Sequence, residues 1–431
     1  MPVWVVAVVA VIAGLGIGRF LTYAPPPAPP PPATAPGSPE RIATLEQQVA
    51  IDPSRADAWQ ELGFAYLAQA FRVGDPSFYG LAEQAFARTD ELVPSDPRTL
   101  LGQGALALAL HQFPEALELG RRVTEALPSS PDALAVLVDA EVELGRYDDA
   151  AASLQDMLDL RPGLPALART SYLRELHGDM PGAIEAMTRA EAAGAGQSFE
   201  SARVAALLGT LHFRQGDLDA AGAAFDRALA GAPGIVPAEI GRARVLAAEG
   251  DLEAAVDVLQ AVVERFPAPE AVVLLGDLQT RLGLEGEAAE TYALVRAIAA
   301  LQEEAGQIVE LEMAIFEADQ GEDLERALAL ARAAHEVRPD NVYANDALAW
   351  ALLRSGDAAA AVAPTEEALR LGTTDPLVRY HAAEVFLALG DVDRARAELT
   401  RALDGTSWFS FRHHDRVLEL ADQLGVVPAD A

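Results

Sequence analysis

Residues 131–162 read PDALAVLVDAEVELGRYDDAAASLQDMLDLRP, and their spacing decides the fold. Apolar residues fall at Leu134, Leu137, Val138 and Ala140 and again at Ala150, Leu154, Met157 and Leu158, two runs at helical spacing separated by Gly145 and Tyr147. The pattern predicts a helical hairpin. Gly145 suits the left-handed residue that ends the first helix, Asp148 or Asp149 is placed to cap the second, and Pro162 stops it. One hairpin cannot bury both of its flanks, so it needs a similar hairpin on either side.

The rest of the chain supplies them. Helix-stopping prolines recur at Pro94, Pro128 and Pro162, and again at Pro233 and Pro267, 34 residues apart within each set. Gly178-Asp179, Gly216-Asp217, Gly250-Asp251, Gly356-Asp357 and Gly390-Asp391 each place a glycine at a helix end and an aspartate at the next N-cap. Trp59, Leu62, Gly63 and Tyr66 in one copy, and Ala221, Phe225, Ala228 and Pro233 in another, fit the two halves of a known pattern. On these residues the chain resembles the tetratricopeptide repeat family. The resemblance implies an all-α fold, a right-handed α-solenoid of about ten hairpins over residues 40–404. Two places depart from the spacing: turn glycines lie 38 residues apart from Gly178 to Gly216 and from Gly283 to Gly321, around Gly194–Gly196 and Ala299–Gln307. The first full repeat carries an insertion, Phe71 to Phe78, which reads as a lengthened first helix and a loop.

Ahead of the array, Val3 to Ile17 contains no charge, and with Gly18 to Leu21 it approaches the length that crosses a bilayer. Residues 1–23 are therefore expected to anchor the chain in a bacterial cell membrane by a single pass. A cleaved signal peptide is the rival; the lack of a basic residue before the apolar run and Pro25 after Thr22-Tyr23-Ala24 argue against it. Arg19 weakly favours a cytoplasmic array, whereas anchored repeat proteins that the chain resembles often hold theirs outside the cytoplasm. Gly14 and Gly18 form a G-x-x-x-G pair through which two anchors could dimerise, although glycine is common in such helices. Ala24 to Pro39 holds nine prolines and no charge, a spacer in extended polyproline form or a docking site for aromatic-grooved modules. Residues 405–431 form a C-terminal cap: Trp408, Phe409 and Phe411 read as its core, followed by an amphipathic helix near His414 to Leu424.

Composition narrows the function. All 32 basic residues are arginine, and 65 acidic residues leave a net charge of −33, which disfavours nucleic acid as a partner. The bias fits a GC-rich genome or a salty environment, or else attraction of basic partners. Cysteine is absent, so disulfides, thiolate metal sites and a thiol nucleophile are excluded. The seven histidines show no i, i+4 pair, His413 and His414 diverge as neighbours on a helix, and no phosphate-binding loop, nucleophile elbow or H-E-x-x-H occurs. No metal, cofactor or catalytic residue is expected, and the chain reads as a non-enzyme.

In the family it resembles, the first helices of successive hairpins line a concave groove that grips a peptide or a partner's helix. On that analogy the groove is lined by Asp139, Tyr172, Thr210, Phe213, Arg214, Arg244, Asp277 and Arg281, then by Tyr343, Asp346, Trp350, Arg354, Tyr380 and Glu384. Tyrosine and tryptophan offer rigid contact area and arginine pairs with carboxylates; Tyr172 and Trp350 are equally candidates for packing between repeats. The function expected is a membrane-anchored scaffold for a protein or peptide partner. An assembly factor for a membrane or exported enzyme, as in cytochrome biogenesis, and a self-associating structural protein are the alternatives.

Overall fold

The structure is a computed structural model and describes residues 37–73, 75–194 and 199–430. The expected anchor with Gly14 and Gly18, most of the proline-rich stretch, Gly74 and the Ala195-Gly196 irregularity lie outside the described residues. Among those described, no helix is long and apolar enough to cross a membrane. Every major element among the described residues is a helix. A leading helix, Pro39–Ile51, is followed by ten hairpins, from Ala56–Val73 with Ser77–Leu92 to Pro376–Ala388 with Val392–Ala402, and then by His414–Leu424. Ser38 caps the leading helix and Pro39 is its first residue, so the proline-rich stretch ends where the solenoid starts.

The punctuation behaves as its chemistry dictates. Gly145 has φ +74° at the end of its helix, the conformation that a Cβ disfavours. The aspartates of the Gly-Asp turns cap their helices: Asp179, Asp217, Asp251, Asp357 and Asp391 each accept a hydrogen bond from a backbone N–H three residues on. Asp148 and Asp149 do not. Their helix begins one residue earlier, at Tyr147 after Arg146, which places both carboxylates in the first turn, where they favour the helix dipole without capping. The insertion resolves as expected into an 18-residue first helix, Ala56–Val73. At the second irregularity the helix Glu285–Glu304 runs for 20 residues and turns at Gly306 (φ +82°), a glycine that the repeat spacing passes over.

The hairpins close on small residues. Ala116, Ala150, Ala183, Ala221, Ala255, Ala288, Ala327, Ala361 and Ala395 occupy equivalent places in the second helices, each at most 2% exposed, where a larger side chain would push paired helices apart. Large rings fill the space between repeats: Phe225 lies against both Gly209 and Gly241, and Phe86 against Gly63 and Gly102, so close that a Cβ on any of these glycines would collide with the ring.

The array does not stay open. The turns around His111, Gly145, Gly178 and Gly216 meet the turns around Gly306, Asp340, Gly372 and Gly405, in parallel order and about 195 residues further along the chain. The Ile308 N–H donates to Leu110 O at 3.0 Å, the Val342 N–H to Tyr147 Oη at 3.0 Å, and Arg370 to Gly145 O at 3.3 Å. A Cβ on Gly145 would come within 2.3 Å of the Asp340 backbone, and one on Gly178 within 2.5 Å of Gly372 O. At the matching place His111 takes φ +59° without being glycine, and its Nδ1 lies 2.7 Å from Ile308 O across the same seam. Burial, with Arg338 nearby, lowers the His111 pKa to about 4, so the ring stays neutral there. One apolar cluster accordingly unites residues from Leu134 to Leu211 with residues from Leu311 to Leu424. The ten hairpins form a coil that returns against its own rim, with the C-terminal segment lying in the lumen.

Candidate functional site

Three first helices each put one stripe into the lumen, and the second helix Glu285–Glu304 adds Val295, Ala299 and Gln302. Thr210, Phe213 and Arg214 come from one, Pro269, Glu270, Val273, Leu274 and Asp277 from another, and Glu312, Met313, Phe316, Asp319 and Gln320 from a third. Within each group the spacing is that of one helix face. Phe409 to Arg412, from the C-terminal segment, closes one side. Together with Arg244, Asp375 and Leu377 these residues bound a cavity of about 170 Å³. That volume takes one large side chain or a chain end.

Its charges are partly paired. Arg214, largely covered, lies between the buried Glu175 and Asp375, its Nη2 2.9 Å from Asp375. Burial opposes its charge, but Asp375 and Glu175 outweigh burial and raise its pKa. Arg244 pairs with Glu270 at 3.0 Å. Burial raises the Asp277 pKa to about 6, against the pull of Arg412 and the bond from Tyr292. Burial likewise raises Glu312, whose Oε2 has no hydrogen-bond partner. Five carboxyl groups (Glu270, Asp277, Glu312, Asp319 and Asp375) face three guanidinium groups (Arg214, Arg244 and Arg412), so the cavity is apolar with an acidic balance.

The structure divides the residues expected in the groove. Phe213, Arg214 and Arg244 line the cavity. Tyr172 and Tyr343 are buried in the shared core cluster. Asp139 is held by Arg169, both buried. Arg281 is engaged by the C-terminal segment: it donates to Phe411 O and Asp415 and lies 5.1 Å over the Trp408 ring. Trp350, Arg354, Tyr380 and Glu384 share a shallow cleft with His413 and Arg416. Within it Arg354 lies over Trp350 at 5.3 Å, and Arg416 forks onto Glu384 at 2.7 and 3.1 Å. The inner helix faces are thus largely covered by the chain's own later repeats and cap.

Between cavity and cleft lies a polar junction. Trp350 Nε1 donates to Asp319 Oδ1 at 2.8 Å, and His413 Nε2 lies 2.8 Å from the same oxygen. His381, stacked on Trp350 with ring centres 4.1 Å apart, sets Nδ1 3.0 Å from both oxygens of Asp346. Burial works against the Asp319 carboxylate, but the neighbouring His413 with its hydrogen bond, His381 and the Trp350 N–H bring its pKa down to about 2. The expectation of scattered histidines fails for this pair. Spacing could not reveal it, because His381 and His413 lie on different elements and meet only after the coil has closed. His413 and His414 do diverge; His414 stacks on Trp408 with centres 3.5 Å apart.

Tetratricopeptide repeat models match residues 212–282 and residues 101–165, 135–198, 177–234 and 347–407, together more than half of the chain. No curated protein matches it in sequence. Among solved structures, it is similar to human IFIT1 in a dimer with m7Gppp-AAAA: 15% identity, 77% of this chain and 76% of that one, TM-score 0.50. It is also similar to TTC0263, a thermophilic TPR protein of Thermus thermophilus, with 23% identity over 44% of this chain and 99% of that one, TM-score 0.40. A chain of the APC/C hetero-tetramer Cut9–Hcn1 gives 14% identity over 89% of this chain and 92% of that one, TM-score 0.39. At these identities the likeness is one of fold.

Proposed function

The chain belongs to the tetratricopeptide repeat family, and from that premise we propose that it is a membrane-anchored scaffold holding a segment of a partner protein in the lumen of its coil. Tetratricopeptide repeat proteins are generally scaffolds for protein–protein interaction. The observation that carries the reading is the cavity bounded by Phe213, Leu274, Met313 and Phe316 beside the Arg244–Glu270 pair. Its size favours an inserted side chain or chain end over a whole helix, and its acidic balance favours a segment with a basic group next to an apolar one. The net charge of −33 points the same way and disfavours a phosphate-rich ligand such as the one in the IFIT1 structure.

Two measurements test this. A photo-crosslinking amino acid at Val273, in native membranes, is expected to give a discrete protein adduct that the same group at the exposed Glu253 does not give. Leu274→Trp, which fills the cavity, should reduce that adduct at least about tenfold, in the range of a lost interface anchor, while the thermal midpoint stays within a few degrees. An adduct undiminished by Leu274→Trp would remove the lumen from the reading. For the anchor, motivated by the uncharged Val3–Ile17 run, deleting residues 1–23 should shift the protein from the membrane pellet to the soluble fraction. A full-length protein that is already soluble and begins after Ala24 would replace the anchor with secretion.

A further inference from the structure

We propose that Asp319, His381 and His413 form a binding site for a single late first-row divalent cation, which clasps the C-terminal segment onto the coil. One ligand atom from each residue lies within 4.8 Å of the other two. The residues come from three separate places: the end of the helix Glu310–Gln320, the helix Pro376–Ala388, and the residue before His414–Leu424. Two imidazoles and a carboxylate are a donor set that such ions take, and one coordination position remains for water or a further ligand.

A second observation points to a ligand independently. His381 is 1% exposed, and its Nε2 is buried without a hydrogen-bond partner. An unpartnered ring nitrogen in such a place costs free energy. Asp346 accepts the hydrogen bond from Nδ1–H, both of its oxygens being 3.0 Å away, so in the neutral ring the lone pair lies on Nε2. A carboxylate behind a histidine whose other nitrogen is free is the arrangement that orients metal-binding imidazoles. Trp350 fixes the same ring by stacking and donates to Asp319 from the side, so two of the three ligands are positioned by a common neighbour.

The geometry needs a small adjustment. Bonds of about 2.0–2.2 Å set tetrahedral ligands roughly 3.4 Å apart, so an ion would draw the widest pair inward by up to about 1.4 Å. His413 and Asp319 are already at hydrogen-bond distance, and there the ion takes the place of the hydrogen that bridges them. His413 borders the open cleft and Asp319 borders the lumen cavity, giving an entry path.

The test uses the full-length chain without a histidine tag. Zn2+ titrated by calorimetry should bind at one equivalent, and Co2+ should give visible bands of a low-coordinate N/O site, with no thiolate contribution because the chain has no cysteine. His381→Asn keeps a donor for Asp346 but deletes Nε2, and His413→Gln keeps a donor for Asp319; each should weaken Zn2+ at least about 100-fold. Asp346→Asn acts through His381 as a positioning residue and should cost about 10- to 100-fold. His335→Gln, remote from the junction, should change nothing. X-ray absorption of the wild-type Zn2+ complex should show two imidazoles, a readout that does not depend on any variant folding. Absence of one-equivalent binding, fewer than two imidazoles, or full affinity in folded His381→Asn would each overturn the site.

Discussion

Arg214→Met is expected to lower stability by about 3–5 kcal/mol, the usual cost of removing one partner from a buried ionic cluster, and to part the two rims of the coil. Glu175 and Asp375, both buried, would lose the guanidinium that they share. The two carboxylates belong to turns about 200 residues apart, so their repulsion acts directly on the seam. The backbone contact beside them is equally tight, since a Cβ on Gly405 would fall within 2.0 Å of Arg214 O. Because the chain has no cysteine, labels at Gln215→Cys and Asp404→Cys, exposed on opposite sides of this contact, report the seam alone. Their distance distribution should lengthen and broaden in Arg214→Met. Adding Glu175→Gln and Asp375→Asn should restore much of the stability, because asparagine still caps the helix that Asp375 begins. An unchanged distance and midpoint would mean that the rims hold together without this cluster.

What the sequence makes legible is what repeats locally. The turn glycines, the capping aspartates, the prolines two residues past the helix ends and the cap helix His414–Leu424 all follow from interactions within a few residues, and each stands where its spacing puts it. The exception is Asp148 and Asp149, where Tyr147 extends the helix by a residue and takes its place in the core. Closure of the coil is a different kind of fact. It sums small rotations over about six hairpins, and no spacing within one repeat carries the total. Arg214 was legible as a lumen residue, but its partner Asp375 lies 161 positions away. Trp350 read equally as groove or packing, and the neighbours that decide it, Asp319, His381 and His413, come from three other elements. The 38-residue spacing from Gly283 to Gly321 marked an irregularity; its meaning, a lengthened helix whose following turn at Gly306 reaches His111 and Gln112, needed the fold.

Ala150→Arg is expected to cost on the order of 4 kcal/mol, combining overpacking of a closed helix contact with the burial of an unpaired charge. Ala150 is fully buried in the cluster of Leu134, Val138, Tyr147 and Leu154, and has no route by which a guanidinium could reach water without separating the two helices. The pattern of damage is more telling than its size. In an open array, loss of one hairpin spreads to its sequence neighbours, here residues 97–126 and 164–193. In the closed coil the same hairpin also supports the chain across the seam: Tyr147 Oη accepts the Val342 N–H, Glu143 O accepts from Asn341 Nδ2 at 3.1 Å, and the Glu143 carboxylate holds Arg338 at 3.3 Å. Amide hydrogen exchange of the variant should therefore lose protection in residues 338–354 as well as in the adjacent hairpins. Loss confined to the sequence neighbours would show that the rims touch without coupling, and an unchanged midpoint would mean that the alanine does not sit at the close helix contact.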